Sequence, residues 1–174
     1  MLIQTVAPTI NLLDEVKEYM KVEDTNSDST IEMLIDSKYA YAEDYTNRQL
    51  KTATFELKVP SLLDGDSLPK NPIQSIASIH FMDENEDYQL LDAGNYYLYQ
   101  EDGVTKISLS KSIETVSHKH AIKITFVAGY EEIPKPIKAW ICYQVLVEYD
   151  GVETAVKNFS DKALEQYKVS GYES

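Results

Sequence analysis

The sequence predicts an α+β fold, in which a small α-helical bundle carries an inserted block of antiparallel β-strands. Two observations lead to this class. Apolar residues recur at three- and four-residue steps near the start of the chain and form a nearly continuous run late in it, whereas residues 52–128 alternate between apolar and polar side chains. Because the strands are grouped together and do not alternate with helices, the sheet is expected as an insertion between helices of one bundle. The 174 residues suit one domain, predicted over 1–150.

The first two helices are predicted over residues 11–20 and 29–46. Asn11 is suited to cap the first helix, because its side chain can accept a bond from a free backbone amide. Ser29 and Glu32 have capping-box spacing at the start of the second helix. Asn47 is suited to the left-handed residue that ends it.

Turn signals separate the strands predicted within 52–128. Pro60 to Pro72 is a turn-rich connection that contains Gly65 and three prolines. The run Asp83–Asp87 (DENED) predicts an acidic hairpin tip. Asp102-Gly103 is a strong tight-turn pair between two strands.

A third helix is predicted over 134–150, after a last strand that stops at Gly129. Pro134 and Pro136 fit the first helical turn, where amide donors have no intrahelical partner. Between Ile137 and Tyr149 this helix is polar only at Lys138, Gln144 and Glu148. A helix that is apolar on most sides is central, so other helices or neighbouring subunits are expected to cover it. Residues 151–174 are predicted to form a short helix around 160–167 and a loose tail.

The amino-acid composition restricts the classes of function that this protein can have. The formal net charge of −13 argues against a protein that grips DNA, because nonspecific binding requires cations that neutralise phosphate. An acidic lining would instead let DNA slide past. Thirteen tyrosines suggest an assembly surface, since tyrosine is enriched where proteins meet. The single cysteine excludes an intrachain disulfide, and the sequence contains neither a signal peptide pattern nor a membrane span.

The sequence contains no phosphate-binding loop, nucleophile elbow or dinucleotide fingerprint. His118 and His120 would share one face of a strand, but two ligands without a third make a weak metal site, and surface histidines are favoured. The acidic runs at 64–67 and 83–87 lack the spacing of a calcium loop and are interpreted as solvated turns. Cys142 is interpreted as a buried small residue. The sequence therefore predicts no catalytic residue, cofactor or metal.

Several stretches, taken together and in order, resemble bacteriophage head–tail connector proteins, a family also called head-completion or adaptor proteins and also found in prophages. The first stretch is the helix at Leu13–Lys17, followed by the aspartate-rich turn Asp24–Asp28. The second is Tyr45–Arg48, which ends the second helix. The third is the late strand with Ala128-Gly129-Tyr130 and the prolines and Lys138-Ala139 after it. The resemblance covers about residues 11–150, and Tyr149-Asp150-Gly151 departs from the arginine–glutamate pair that the family commonly has there.

The resemblance implies a structural protein without catalytic residues. Such adaptors form a homo-oligomeric ring of about twelve copies beneath the portal protein of a filled capsid and give the tail its docking surface. The implied partners are the portal protein and a tail-completion protein, and DNA passes through the ring without specific binding. The implied location is the neck of the virion, reached from the host cytoplasm during assembly. No membrane partner is implied.

Candidate interaction residues follow from this interpretation. The central helix is expected to contact neighbouring subunits, and the segment Lys162–Tyr172 is expected to contact the portal by ordering a loose tail on binding. The acidic hairpin tip is expected to face the tail or the DNA channel. The subunit or partner residues are Trp140, Tyr143, Tyr167, Val169 and Tyr172, and the loop residues are Asp83, Glu84, Glu86 and Asp87.

Three alternatives stay open. One is a neck or tail-completion protein of the next layer. Another is a small metal-dependent hydrolase that uses His118, His120 and acidic residues. The last is a regulator from a defective prophage, bound to a host protein.

Overall fold

The structure is a computed structural model, and it describes residues 1–151 and 162–169. Two compact units are present. Of the described residues, the sheet unit contains Met1–Pro8 and Lys51–Glu131, and the helical unit contains Thr9–Leu50, residues 132–151 and residues 162–169. Helices and a mostly antiparallel sheet together confirm the α+β class. No helix among the described residues is long and apolar enough to cross a bilayer.

The helical unit is built around its third helix. Its elements in chain order are α1 (Leu13–Met20), α2 (Asp28–Thr46), α3 (Lys135–Tyr149) and the short α4 (Lys162–Glu165). Helix α3 contacts each of the other three. Ile137, Ile141 and Val145 are fully buried at these contacts. The prediction of a central apolar helix is confirmed within this unit, and Trp140 and Ile141 lie on α3 rather than on a sheet.

The two predicted N-terminal caps are wrong. Leu12 occupies the N-cap of α1, and α2 begins at Asp28 after Ser27, so that Ser29 and Glu32 both lie within the helix. Neither helix has a side-chain cap bond. The Asp28 carboxylate instead lies 2.5 Å from the Lys17 ammonium group, which holds the start of α2 near α1. The predicted end of α2 is correct, because Asn47 at its C-cap adopts the left-handed backbone conformation, with φ 53°.

The described residues of the sheet unit form seven strands. They are β1 (Leu2–Val6), β2 (Ala53–Val59), β3 (Ile73–Met82), β4 (Tyr88–Leu90), β5 (Tyr96–Glu101), β6 (Val104–Leu109) and β7 (Ile122–Ala128). Five of them form an antiparallel sheet in the order β1-β2-β7-β3-β4, and β5 pairs with β6 in a separate hairpin. Strand β1 was not predicted. The Asp83–Asp87 tip and the Asp102-Gly103 turn lie where the sequence places them, between β3 and β4 and between β5 and β6.

One core serves both sheets of this unit. Phe55 of β2 and Phe126 of β7 stack with their ring centroids 5.6 Å apart. Ile107 of β6 and Leu68 of the β2–β3 connection join the same cluster of buried residues. Because side chains alternate along a strand, β7 buries Ile122, Ile124 and Phe126 together on one face. The β5–β6 hairpin is therefore held to the large sheet by shared apolar packing.

A buried polar cluster fixes the end of the β2–β3 connection. The Asn71 side chain accepts a 2.7 Å bond from the Thr105 amide and donates a 2.8 Å bond to the Leu68 carbonyl. The Thr105 hydroxyl accepts a 3.3 Å bond from the Ile73 amide. Asn71 and Thr105 are both buried, so each of these groups depends on the others for hydrogen bonding.

Candidate interaction surfaces

The two histidines that the hydrolase alternative needs lie side by side without further ligands. Their ring centroids are 5.8 Å apart, and the His120 amide donates to His118 Nδ1 at 3.2 Å. Desolvation and the neighbouring Lys119 lower the pKa of His120. Across residues 1–151 and 162–169, no group of three His, Cys, Asp or Glu side chains is placed to hold a metal ion.

Cys142 is not placed as a nucleophile. It lies on the buried side of α3, and desolvation raises the pKa of its thiol. A raised pKa leaves less thiolate, which is the reactive form. The prediction that this cysteine is a packing residue is confirmed by its burial.

The segment Lys162–Val169 is docked on the helical unit. Leu164 is fully buried, and α4 contacts both α2 and α3. The Val169 amide donates to the Thr46 carbonyl at 3.1 Å, and the Arg48 Nε–H donates to the Tyr167 carbonyl. The backbone of the segment is thus bonded to the end of α2 at two places.

These contacts bear on the predicted loose tail from Val169 to Tyr172 only at Val169. Val169 is half-buried, and its amide is bonded to the helical unit, so this residue is not loose in the structure. Residues 152–161 and 170–174, which include Tyr172, lie outside the described residues. Tyr167 is half-buried, and its side chain lies in the docked segment.

An aromatic stack lies next to this segment and was missed by the sequence analysis. Tyr41 stacks on Trp140 with ring centroids 5.5 Å apart, and Tyr45 stacks on Tyr41 with ring centroids 5.9 Å apart. The Lys168 ammonium group lies over the Tyr45 ring, 5.2 Å from its centroid. The four-residue spacing of Tyr41 and Tyr45 on one helix was the available signal.

The stack places the predicted interface residue Trp140 beneath the surface. Trp140 is only 5% exposed, whereas Tyr41 above it is 47% exposed. Tyr41 is therefore the ring of this stack that an incoming protein would touch first. Tyr143, the other predicted residue on α3, is half-buried.

The acidic tip, Asp83–Asp87, is a turn that hydrogen bonds to the Asp83 carboxylate hold in place. The Asp83 carboxylate accepts bonds from the Asn85 amide at 2.9 Å, the Asp87 amide at 3.1 Å and the Gln89 side chain at 2.8 Å. The bond from Gln89 and then that from the Asp87 amide lower the pKa of Asp83. Glu84, Glu86 and Asp87 are exposed, so the tip presents negative charge to its surroundings.

A cleft of about 790 Å³ opens beside the tip and was also missed. Phe81, Met82 and Leu91 supply apolar surface, and the loop 111–116 forms the opposite wall. Asp83, Glu84, Asp92 and Glu114 line the cleft together with Lys111, so its charge is mainly negative. The two walls are connected, since the Thr115 hydroxyl donates to the Met82 carbonyl at 2.8 Å.

The fold is similar to that of solved proteins from gene transfer agent particles. One is from the neck of an empty particle computed with C6 symmetry, with TM-score 0.81, 15% identity, and 98% of this chain and 96% of that chain covered. A second, from the virion of the native particle, has TM-score 0.80, 15% identity and the same coverage. A third, from the native neck computed with C12 symmetry, has TM-score 0.78, 16% identity and again 98% and 96% coverage.

The family of the chain follows from its sequence. Among curated proteins, none matches this chain significantly. The family model of the head completion protein matches residues 9–153, which include helices α1, α2 and α3 and strands β2 to β7. The resemblance noted in the sequence is thereby confirmed. The chain belongs to the head completion protein family and has a structural role in the head–tail connector or neck.

Proposed function

We propose that copies of this chain form a ring beneath the portal protein and give the tail its docking surface. The observation that carries the proposal is the likeness of nearly the whole chain to neck proteins from particles computed with C6 and C12 symmetry. A ring of about twelve copies would follow the higher of these symmetries. The proposal assigns no catalytic residue and places the protein in the virion.

The docked segment Lys162–Val169 is the portal contact in this proposal. Lys162, Glu165, Gln166 and Lys168 are exposed, while Leu164 anchors the segment from below. The segment is already ordered in the free chain, so little conformational entropy is lost when a partner binds it. The exposed Tyr41 ring adds a rigid aromatic contact beside it.

The passage of DNA fits the charge of the chain. With a net charge of −13, the ring would carry a strongly negative field. A negative lining repels the phosphates and keeps DNA from adhering to the channel wall. The acidic tip Asp83–Asp87 remains our candidate for the surface that faces the channel or the tail.

The decisive experiment mixes the purified chain with portal protein from the same phage and images the product by negative-stain electron microscopy. We expect a ring of added density on one end of the portal. If the chain instead joins a purified tail-completion protein and leaves the portal bare, the protein belongs to the next layer of the neck. Absence of binding to either would refute the proposal.

A pair of charge reversals tests the portal surface. We expect Lys162→Glu with Lys168→Glu to weaken portal binding without unfolding the chain, because both side chains are exposed. Lys111→Glu with Lys119→Glu is the matched control, with the same change in net charge in the sheet unit. Deleting residues 160–174 is a poorer test, because it removes the buried Leu164 as well.

A further inference from the structure

Strand β1 is an exposed edge strand with apolar side chains. All five of its residues are exposed. Met1, Leu2, Ile3 and Val6 are 64%, 37%, 38% and 58% exposed. Natural proteins usually protect an edge with charged side chains, because an open edge is a template for pairing with another chain. Strand β1 contains no charged side chain.

Within the described part of the chain, nothing is bonded to the backbone groups at the outer edge of β1. Met1 exchanges two bonds with Lys58 of β2, each 2.8 Å long. In an antiparallel pair such bonded positions alternate, so Ile3 faces β2 and the backbone groups of Leu2 and Gln4 face the open side. Among the described residues, β1 is the last strand on this side of the sheet. The free groups can therefore accept a strand or loop from another molecule.

The distribution of charge indicates what kind of molecule binds there. Residues 1–13 contain no Asp, Glu, Lys or Arg, although charged residues make up 26% of the chain. Two copies with a net charge of −13 each repel one another, and a contact made through β1 adds no like-charge pair because this strand has no charged side chain. A basic partner would gain nothing from this neutral strand and would be drawn to the acidic surfaces instead.

We propose that β1 is a contact between neighbouring copies of this chain, formed by pairing at its open edge and by burial of Ile3 and Val6, whose partners Glu56 and Thr54 on β2 place them on one face of the sheet. The proposal rests on the ring of the proposed function. A ring of more than two copies needs two different surfaces at each contact, so β1 meets a surface of its neighbour other than the neighbour's own β1. Each copy then offers one β1 and receives one.

Two substitutions separate the backbone contact from the apolar contact. Gln4→Pro removes an outward amide donor and leaves the bonds to β2 in place, since proline is tolerated where the donor faces away from the sheet. Ile3→Lys places a charge on the apolar surface. Leu63→Lys is the matched control, because Leu63 is also an exposed apolar residue of the sheet unit, at 63%. Thermal unfolding of each free variant checks that the chain is folded.

Binding is measured at two ratios of this chain to the portal protein. Native mass spectrometry counts the copies of the chain that are bound to each portal. With portal in large excess, copies bind singly, and we expect all variants to match the wild type. With the chain in excess, the wild type should fill complete rings, while Gln4→Pro and Ile3→Lys should need about tenfold more protein to do so. Complete rings at wild-type concentrations for both variants would overturn the role of β1. Failure of the wild type to bind the portal at all would overturn the proposed function instead.

Discussion

Among single residues, Asn71 has a stabilising role that its position in a turn-rich connection does not reveal. Its side chain holds the Thr105 amide and the Leu68 carbonyl in a buried place. We expect Asn71→Ala to lower the free energy of unfolding of the sheet unit by about 1–3 kcal/mol, the usual cost of leaving a buried group unpaired. Denaturant unfolding measures the change.

The control for this substitution is Asn85→Ala. Asn85 is exposed at the hairpin tip, and only its backbone amide bonds to Asp83, so the bond survives the substitution. We expect a change within about 0.5 kcal/mol. Equal effects of the two substitutions would show that the buried cluster adds nothing special to stability.

Asp83 gives a prediction about pH. Hydrogen bonds lower its pKa below the ordinary value of 3.8, which means that the folded hairpin favours the ionised carboxylate. The resulting stabilisation is present above the pKa of the unfolded chain and is lost as the pH falls through the lower pKa of the folded chain. Because the Gln89 side chain is the largest cause, we expect Gln89→Ala to raise the pKa of Asp83 toward 3.8.

An NMR titration of the Asp83 carboxyl carbon measures this pKa. Gln166→Ala serves as the control, because Gln166 lies in the helical unit and has no bond to Asp83. A pKa that stays low in Gln89→Ala would assign the effect to the two backbone amides alone.

The sequence predicted residue conformations well where the backbone has a positive φ angle. Asn47 and Asp102 adopt the left-handed conformation at the places where a stop and a tight turn were predicted. The N-terminal caps were wrong because α1 begins one residue later than a cap at Asn11 requires, with the apolar Leu12 at its N-cap, and because several polar residues compete for the role before α2. In the turn before α2, Asp24 accepts a bond from the Asn26 amide, and Asp28 pairs with Lys17, which no local pattern reveals.

Among the elements, α4 provides the clearest test of how the last described segment is held. Leu164 is its only buried residue, so we expect Leu164→Ala to release the segment while α1 to α3 stay folded. Replacing a buried leucine by alanine lowers stability by about 2–5 kcal/mol, which is more than the free energy expected to hold so short a segment in place. Trypsin should then cleave after Lys162 and Lys168 faster than in the wild type.

The same protease assay on Gln166→Ala supplies the comparison, since that side chain is exposed. Unchanged cleavage in Leu164→Ala would mean that the backbone bonds to Thr46 and Arg48 suffice to hold the segment. Loss of the helical circular dichroism signal would mean that α4 is part of the cooperative core of the bundle.

The helices were predictable because each has a long periodic pattern. The predicted ranges 11–20, 29–46 and 134–150 differ from α1, α2 and α3 by at most two residues at either end. Strand β1 was not predictable in the same way. It is five residues long and buries neither face, so the alternation of apolar and polar side chains that identifies a half-buried strand is absent from it.

For the whole molecule, the grouping of strands between helices was sufficient for the α+β class, but not for the surfaces. The aromatic stack joins residues about a hundred positions apart in sequence, and the cleft is lined by three separate stretches of the sheet unit. Such surfaces depend on tertiary packing, which periodicity within one element does not encode. The interaction residues inferred from the resemblance therefore remain predictions, with Trp140 lying under Tyr41.

The net charge of the whole molecule predicts that this chain does not bind duplex DNA. A protein binds duplex DNA nonspecifically by releasing counterions with its cations, and this chain has 16 Lys and Arg against 29 Asp and Glu. We expect no change in the fluorescence anisotropy of a labelled duplex at about 0.02 M salt, where electrostatic attraction is least screened. A variant with Asp83, Glu84, Glu86 and Asp87 changed to lysine is the positive comparison, because it places cations on one exposed loop. Binding by the wild type that weakens as salt rises would contradict the model of a ring that DNA passes without adhering.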